Sequence, residues 1–112
     1  MKLSGEGKLL RIFLGETDKF EHQPLFQVIV LRAREMGLAG ATVVRGVEGF
    51  GAVSRVIHTA KILRLSEDLP IVVEIVDSEE KINAFLPELD SMMGSGLVTM
   101  EKVKVLRYGI AK

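Results

Sequence analysis

The sequence predicts an α+β fold of the ferredoxin-like βαββαβ type, an antiparallel sheet with two helices on one face. Three observations carry this reading. Segments with strand and helix periodicity follow one another as strand, helix, strand, long loop, strand, helix, strand. The two halves echo each other, since Met36-Gly37-Leu38-Ala39-Gly40-Ala41-Thr42-Val43 matches Met93-Gly94-Ser95-Gly96-Leu97-Val98-Thr99 with one residue removed; a doubled βαβ unit is the mark of that sandwich. Finally, 112 residues suit a single domain, 1–112.

Each element has its own signal. Lys8 to Leu14 is short, apolar and bounded by Gly7 and Gly15, as a first strand should be. Leu25, Ile29 and Met36, with Phe26, Val30 and Ala33, recur at helical spacing. Pro24 suits the first helical turn and Gly37 the stop. Thr42-Val43-Val44 is a β-branched run between glycines and reads as the second strand. Ile71 to Val76 is a third, running from Pro70 to Asp77. Asp77 and Glu80 then form a capping box for a helix at about Ser78 to Met93, which Pro87 should kink or split. Gly94-Ser95-Gly96 ends it, and Leu97 to Arg107 forms the last strand. The apolar parity of that strand changes between Met100 and Val103, which predicts a bulge or twist.

Such a sandwich leaves one sheet face bare. Leu9, Ile12, Phe13, Val72, Val73, Ile75, Val103 and Val105 supply apolar groups to both parities, so the bare face is expected to be buried by self-association.

Composition excludes several classes. Without cysteine there are no disulfides and no thiolate metal ligands. The first residues hold no apolar signal segment, and no run approaches the roughly 20 apolar residues of a membrane span. Fifteen basic and fifteen acidic residues cancel, which argues against a nucleic-acid partner. A cytoplasmic protein with no direct membrane insertion is expected.

Candidate functional residues cluster in three places. Gly46, Gly49 and Gly51 open a long loop at about 47–68, and alone they read as a turn. Arg55, His58, Lys61 and Arg64 recur every three residues within it, either as a solvated face or as an arm that meets an anion or a partner. Gly94-Ser95-Gly96 offers successive backbone N–H groups to an anion, although it follows the unfavourable end of a helix dipole. His22 precedes the first helix and is expected to cap or pack there; Asp77, Glu79 and Glu80 suit capping better than acid–base work. With two histidines and no cysteine, no dedicated metal site is expected, and no nucleophile–base pair has a sequence signature. The protein is expected not to be an enzyme.

Taken in order, Gly40-Ala41-Thr42-Val43, Gly49-Phe50-Gly51, His58-Thr59, Leu69-Pro70 with Val73-Glu74-Ile75-Val76, Gly94-Ser95-Gly96 and Arg107-Tyr108-Gly109 resemble the PII-like nitrogen-regulatory signalling proteins. Gly40 to Gly51 and Leu65 to Asp77 look most like an uncharacterised bacterial branch of that superfamily. The resemblance implies a homotrimer that binds an adenine nucleotide (ADP, AMP or ATP) in clefts between subunits. Thr42, Gly49, Phe50 and Gly51 would then lie beside base and ribose, Gly94, Ser95 and Gly96 would hold phosphates through their backbone, and Arg107 would contact a phosphate. The loop carrying Arg55, His58 and Lys61 would touch a partner protein, such as a membrane transporter or an enzyme.

Two departures stand out: Leu97 replaces a lysine after the phosphate loop, and Val105 replaces an arginine two residues before Arg107. The loop tyrosine modified in some PII proteins falls near Ile62 and is missing. An alternative is a divalent-metal or small-anion binding protein of the same trimeric architecture, CutA-like, with His58 and acidic residues as ligands. A small enzyme using the intersubunit cleft is a third.

Overall fold

The computed structural model describes residues 5–50 and 69–109. Strand β1 (Gly5–Gly15) leads through a small hairpin, β2 (Lys19–Phe20) and β3 (Gln23–Pro24), into helix α1 (Leu25–Glu35). Strands β4 (Thr42–Arg45) and β5 (Pro70–Asp77), helix α2 (Glu79–Met92) and strand β6 (Leu97–Val105) follow. The main sheet has the order β4-β5-β1-β6, and every neighbouring pair is antiparallel. Both helices pack on one face, as the apolar periodicity predicts.

The core lies between the helices and that face. Leu10, Ile12 and Leu14 of β1 and Ile71, Val73 and Ile75 of β5 alternate inward and meet across the strand pair. Leu25, Ile29 and Ala33 of α1 and Ile82, Phe85, Leu89 and Met92 of α2 close over them, each 7% exposed or less. Burying each large side chain contributes about 1.5–3 kcal/mol, so this layer dominates folding. Arg32 of α1 pairs with Glu88 of α2 at the rim of the helical layer.

Helix ends follow the sequence closely at one terminus and depart from it at another. After α1, the Gly37 N–H donates to Arg34 and the Leu38 N–H to Ala33, the paired bonds of a Schellman stop. At the start of α2 the cap is Ser78, whose hydroxyl accepts from the Lys81 N–H. The expected cap, Asp77, is instead fully buried. Its carboxylate accepts from the Ser78 N–H at 2.6 Å and, across the chain, from the Ala39 N–H at 2.8 Å.

Pro87 does not split α2, which runs unbroken from Glu79 to Met92. Pro87 and Asn83 are both exposed, so water can serve the Asn83 carbonyl that loses its helical donor. Strand β6 ends at Val105, and its register with β1 is continuous from Gly5↔Val105 to Phe13↔Leu97, without a bulge. Its apolar groups change parity because Val98 and Met100 face the helical side, whereas Lys102 and Lys104 follow on that side beyond the helical cover and are exposed. His22 neither caps nor packs: it is exposed at the tip of the β2–β3 hairpin with φ 71°. Met36 is 37% exposed.

The other face of the sheet carries Leu9, Phe13, Val72 and Val76, all half-buried, with Val44 and Leu97 exposed beside them. At its middle sits Arg11, which donates to Glu74 at 2.9 Å and to Glu101 at 3.4 Å. The hydrogen bond to Glu74 raises the guanidinium's pKa above its ordinary value; burial lowers it in part, and the charges of Glu74 and Glu101 raise it further. No helix of the described residues is long and apolar enough to cross a membrane.

Candidate functional site

The sheet has two ends, and the residues singled out by sequence divide between them. At one end, β4 passes into Gly46, whose N–H donates to the Pro70 carbonyl at 2.7 Å and extends the ladder by one residue. Val47 and Phe50 follow, 90% and 71% exposed. At the same end, Gly94-Ser95-Gly96 joins α2 to β6. Gly96 has φ 133°, and a Cβ there would lie 2.8 Å from the Phe13 carbonyl oxygen and 2.6 Å from Met93 Cε. Only glycine fits that bend.

This glycine loop forms one wall of a groove of about 800 Å³, whose other walls include Leu86, Pro87, Asp90, Met93 and Val98. The groove forms because β6 is an edge strand and α2 covers it incompletely, leaving Val98 and Met100 38% and 42% exposed. Its chemistry is lopsided for a phosphate. The loop's backbone N–H groups suit an anion. Yet the loop follows a helix C-terminus with no basic residue in its last turn, and Asp90 adds a negative charge. Leu97 lies on the opposite face of the sheet, 56% exposed.

The cation lies at the other end. Arg107 comes two residues after Val105, which pairs with Gly5 at the start of β1. It is exposed and forms no ion pair among the described residues. From Gly5 to Phe13 the chain advances eight strand residues; at about 3.3 Å each, Val105 and Leu97 stand roughly 26 Å apart, with Arg107 following the first and the glycine loop preceding the second. Thr42 is exposed on edge strand β4, opposite Glu74 and therefore on the bare face.

The structure thus brings Gly49, Phe50, Gly94, Ser95 and Gly96 to one end, and places Arg107 beyond the other. Gly51, Arg55, His58 and Lys61 lie outside the described residues. Among the described residues, no three His, Asp or Glu side chains are grouped so as to hold a metal ion.

Sequence reasoning missed two clusters. One is the Arg11–Glu74–Glu101 triad, made of residues 63 and 90 positions apart; three charges inside apolar strands were its only signal. The other is the set of contacts around Ala39, where Asp77 takes the N–H and the Tyr108 hydroxyl donates to the carbonyl at 3.0 Å. Nothing in local sequence connects Tyr108 with Ala39.

Comparison with known proteins matches residues 7–105 to the family DUF190, described as Uncharacterized ACR, COG1993. A UPF0166 protein of Aquifex aeolicus (strain VF5) is 46% identical over 99 residues, 88% of this chain and 92% of that protein. A UPF0166 protein of Methanocaldococcus jannaschii is 37% identical over 103 residues, 91% of this chain and 94% of that one. Among solved structures, a protein of Thermus thermophilus described as PII-like superimposes with a TM-score of 0.63 at 22% identity, covering 91% of each chain. CPII of Thiomonas intermedia K12, a nitrogen regulatory PII-like protein solved with ADP, AMP and bicarbonate, superimposes with a TM-score of 0.61 at 22% identity, covering 91% of this chain and 90% of that one.

Proposed function

The chain belongs to the DUF190 family and has a PII-like fold, and from that premise we propose that it is a regulatory protein, not an enzyme, that binds an adenine nucleotide in clefts between the subunits of a trimer. The observation that carries the reading is the division of the site. In one chain the glycine loop has backbone donors but no cationic side chain among those lining its groove, while Arg107 stands at the far end of the sheet with no ion pair among the described residues. A neighbouring copy that sets its Arg107 against this chain's glycine loop supplies the missing charge. Thr42 of that copy comes with it, and Phe50 of this chain loses its exposed face to the base.

The bare sheet face supports the assembly. Leu9, Phe13, Val72 and Val76 form an apolar surface that a second and third copy can cover. The Arg11 triad balances one positive charge against two carboxylates there and fixes the register of packing. Support for the ligand comes from CPII, solved with ADP and AMP. A cytoplasmic location and a partner protein met by the loop at 47–68 belong to the same reading.

Isothermal titration with ADP, AMP and ATP tests it. Saturable binding of at least one, with three sites per sedimenting trimer, is the expected result. Absence of heat at millimolar nucleotide, or a monomer at micromolar protein, would sink it. A second reading, a small anion held beside or instead of the nucleotide, draws on the bicarbonate bound in CPII; it predicts that bicarbonate alone alters the thermal midpoint.

A further inference from the structure

Three side chains from three separate parts of the chain converge on the turn Gly37–Ala39, which leads from α1 to β4. Asp77, at the end of β5, accepts the Ala39 N–H at 2.8 Å. Lys81, in the first turn of α2, donates its ammonium to the Gly37 carbonyl at 2.9 Å. Tyr108, beyond β6, donates its hydroxyl to the Ala39 carbonyl at 3.0 Å. Both backbone groups of Ala39 are therefore engaged, one by a fully buried carboxylate and one by the C-terminal segment.

That segment has little else to hold it. Leu106 is 86% exposed, and Arg107 is exposed without an ion pair among the described residues. Among the described residues, the Tyr108–Ala39 bond is the only hydrogen bond made by residues 106–109. A segment of this kind leaves its β-ladder at Val105 and would sample many conformations, carrying Arg107 with it.

We propose that Tyr108 is a positioning residue for the anion-binding arginine: by clasping the segment to Ala39, it holds Arg107 at a set place relative to Thr42, three residues further along the same turn and strand. The proposal rests on the nucleotide-cleft reading given above. An arginine on a free segment must lose backbone and side-chain freedom when a phosphate binds, whereas a clasped one has already lost much of it. Tyrosine fits the task because a ring with two rotatable bonds is ordered at small entropic cost and its hydroxyl reaches a carbonyl. Asp77 and Lys81 anchor the turn itself, so the clasp closes on a fixed point.

The test is a titration of the full chain with ADP in four forms: unaltered, Tyr108→Phe, Arg107→Ala and the double variant. Phenylalanine keeps the ring and removes only the hydroxyl. The expected result is roughly three- to tenfold weaker binding of ADP by Tyr108→Phe, the factor carried by one hydrogen bond. In the Arg107→Ala background the same substitution should have no effect, because Tyr108 acts through Arg107. A general loss of stability would instead weaken both backgrounds alike, and that outcome overturns the proposal. So does unchanged ADP binding by Tyr108→Phe.

Because Tyr108 is the sole tyrosine, 3-fluorotyrosine labelling gives one 19F resonance that reports on the clasp directly. Arg107→Ala should leave that resonance in place, and a chain without the clasp would show it at the position of free fluorotyrosine. If the unaltered chain binds none of ADP, AMP and ATP at millimolar concentration, the nucleotide reading falls and this proposal with it; if it binds AMP or ATP and not ADP, the same four forms are titrated with that nucleotide. Binding by the unaltered chain with an indifferent Tyr108→Phe overturns the proposal alone.

Discussion

The two faces of the sheet are built from the same strands, yet they carry different kinds of information. On the helical side, Leu10, Ile12, Leu14, Ile71, Val73 and Ile75 are 7% exposed or less and join the buried residues of both helices in a single apolar cluster. On the bare side, Leu9, Phe13, Val72 and Val76 remain half-buried around an ion-paired arginine. Complete burial of apolar groups sets whether the chain folds; a face that alternates apolar groups with a fixed charge pattern sets what the folded chain meets. Apolar area supplies attraction without direction, and the placement of charge decides which orientation is tolerated.

The contrast can be broken most severely from the helical side. Phe85, 0% exposed, is the largest fully buried side chain among the described residues, and Phe85→Ala should destabilise the chain by about 3–5 kcal/mol, read by denaturant unfolding. Asp77→Ala comes next. It leaves the N–H groups of Ala39 and Ser78 without their acceptor, for an expected loss of about 2–3 kcal/mol in the same measurement.

On the bare face the outcome should be of another kind. Phe13→Glu puts a carboxylate opposite Val72 and Leu97. The chain's own unfolding should change by no more than about 1 kcal/mol, while on the proposed reading sedimentation moves from trimer to monomer. Unfolding of the chain by that substitution would show that the two faces do not divide the work. The smallest effect sharpens the comparison. Lys8 and Lys102 are directly opposite across β1 and β6, a repulsive pair on the sheet. Lys102→Glu should therefore stabilise by about 0.2–1 kcal/mol, most visibly at low salt.

Much of the helical face was legible in the sequence because its determinants are local. The β-branched run Ile71–Val76 declares a strand, and the spacing of Leu25, Ile29 and Ala33 declares a helix and the side it buries. Pro87 was misleading as a break in the helix: its cost is real, but an exposed position lets solvent meet the orphaned carbonyl. Asp77 was legible as a helix-start residue, whereas its second role needs Ala39, 38 positions away. The glycine loop announced itself by composition, and the lack of a cation beside it did not, since its surroundings arise from how far α2 covers β6. Residues that face each other only after folding leave no mark on a pattern of periods.

The separation of Arg107 from Gly94-Ser95-Gly96 has a consequence for mixtures. On the proposed reading, each cleft takes its cationic wall from one chain and its glycine wall from another. A chain bearing Arg107→Ala spoils only the first kind of wall. Gly96→Ala, whose new Cβ would strike the Phe13 carbonyl, spoils only the second. Neither variant alone should bind nucleotide well. Unfolded together and refolded as an equal mixture, they should regain about one cleft in four, each formed where two unaltered walls meet. Two defective preparations would thus complement each other in a test tube, whereas homogeneous solutions of either would bind only weakly.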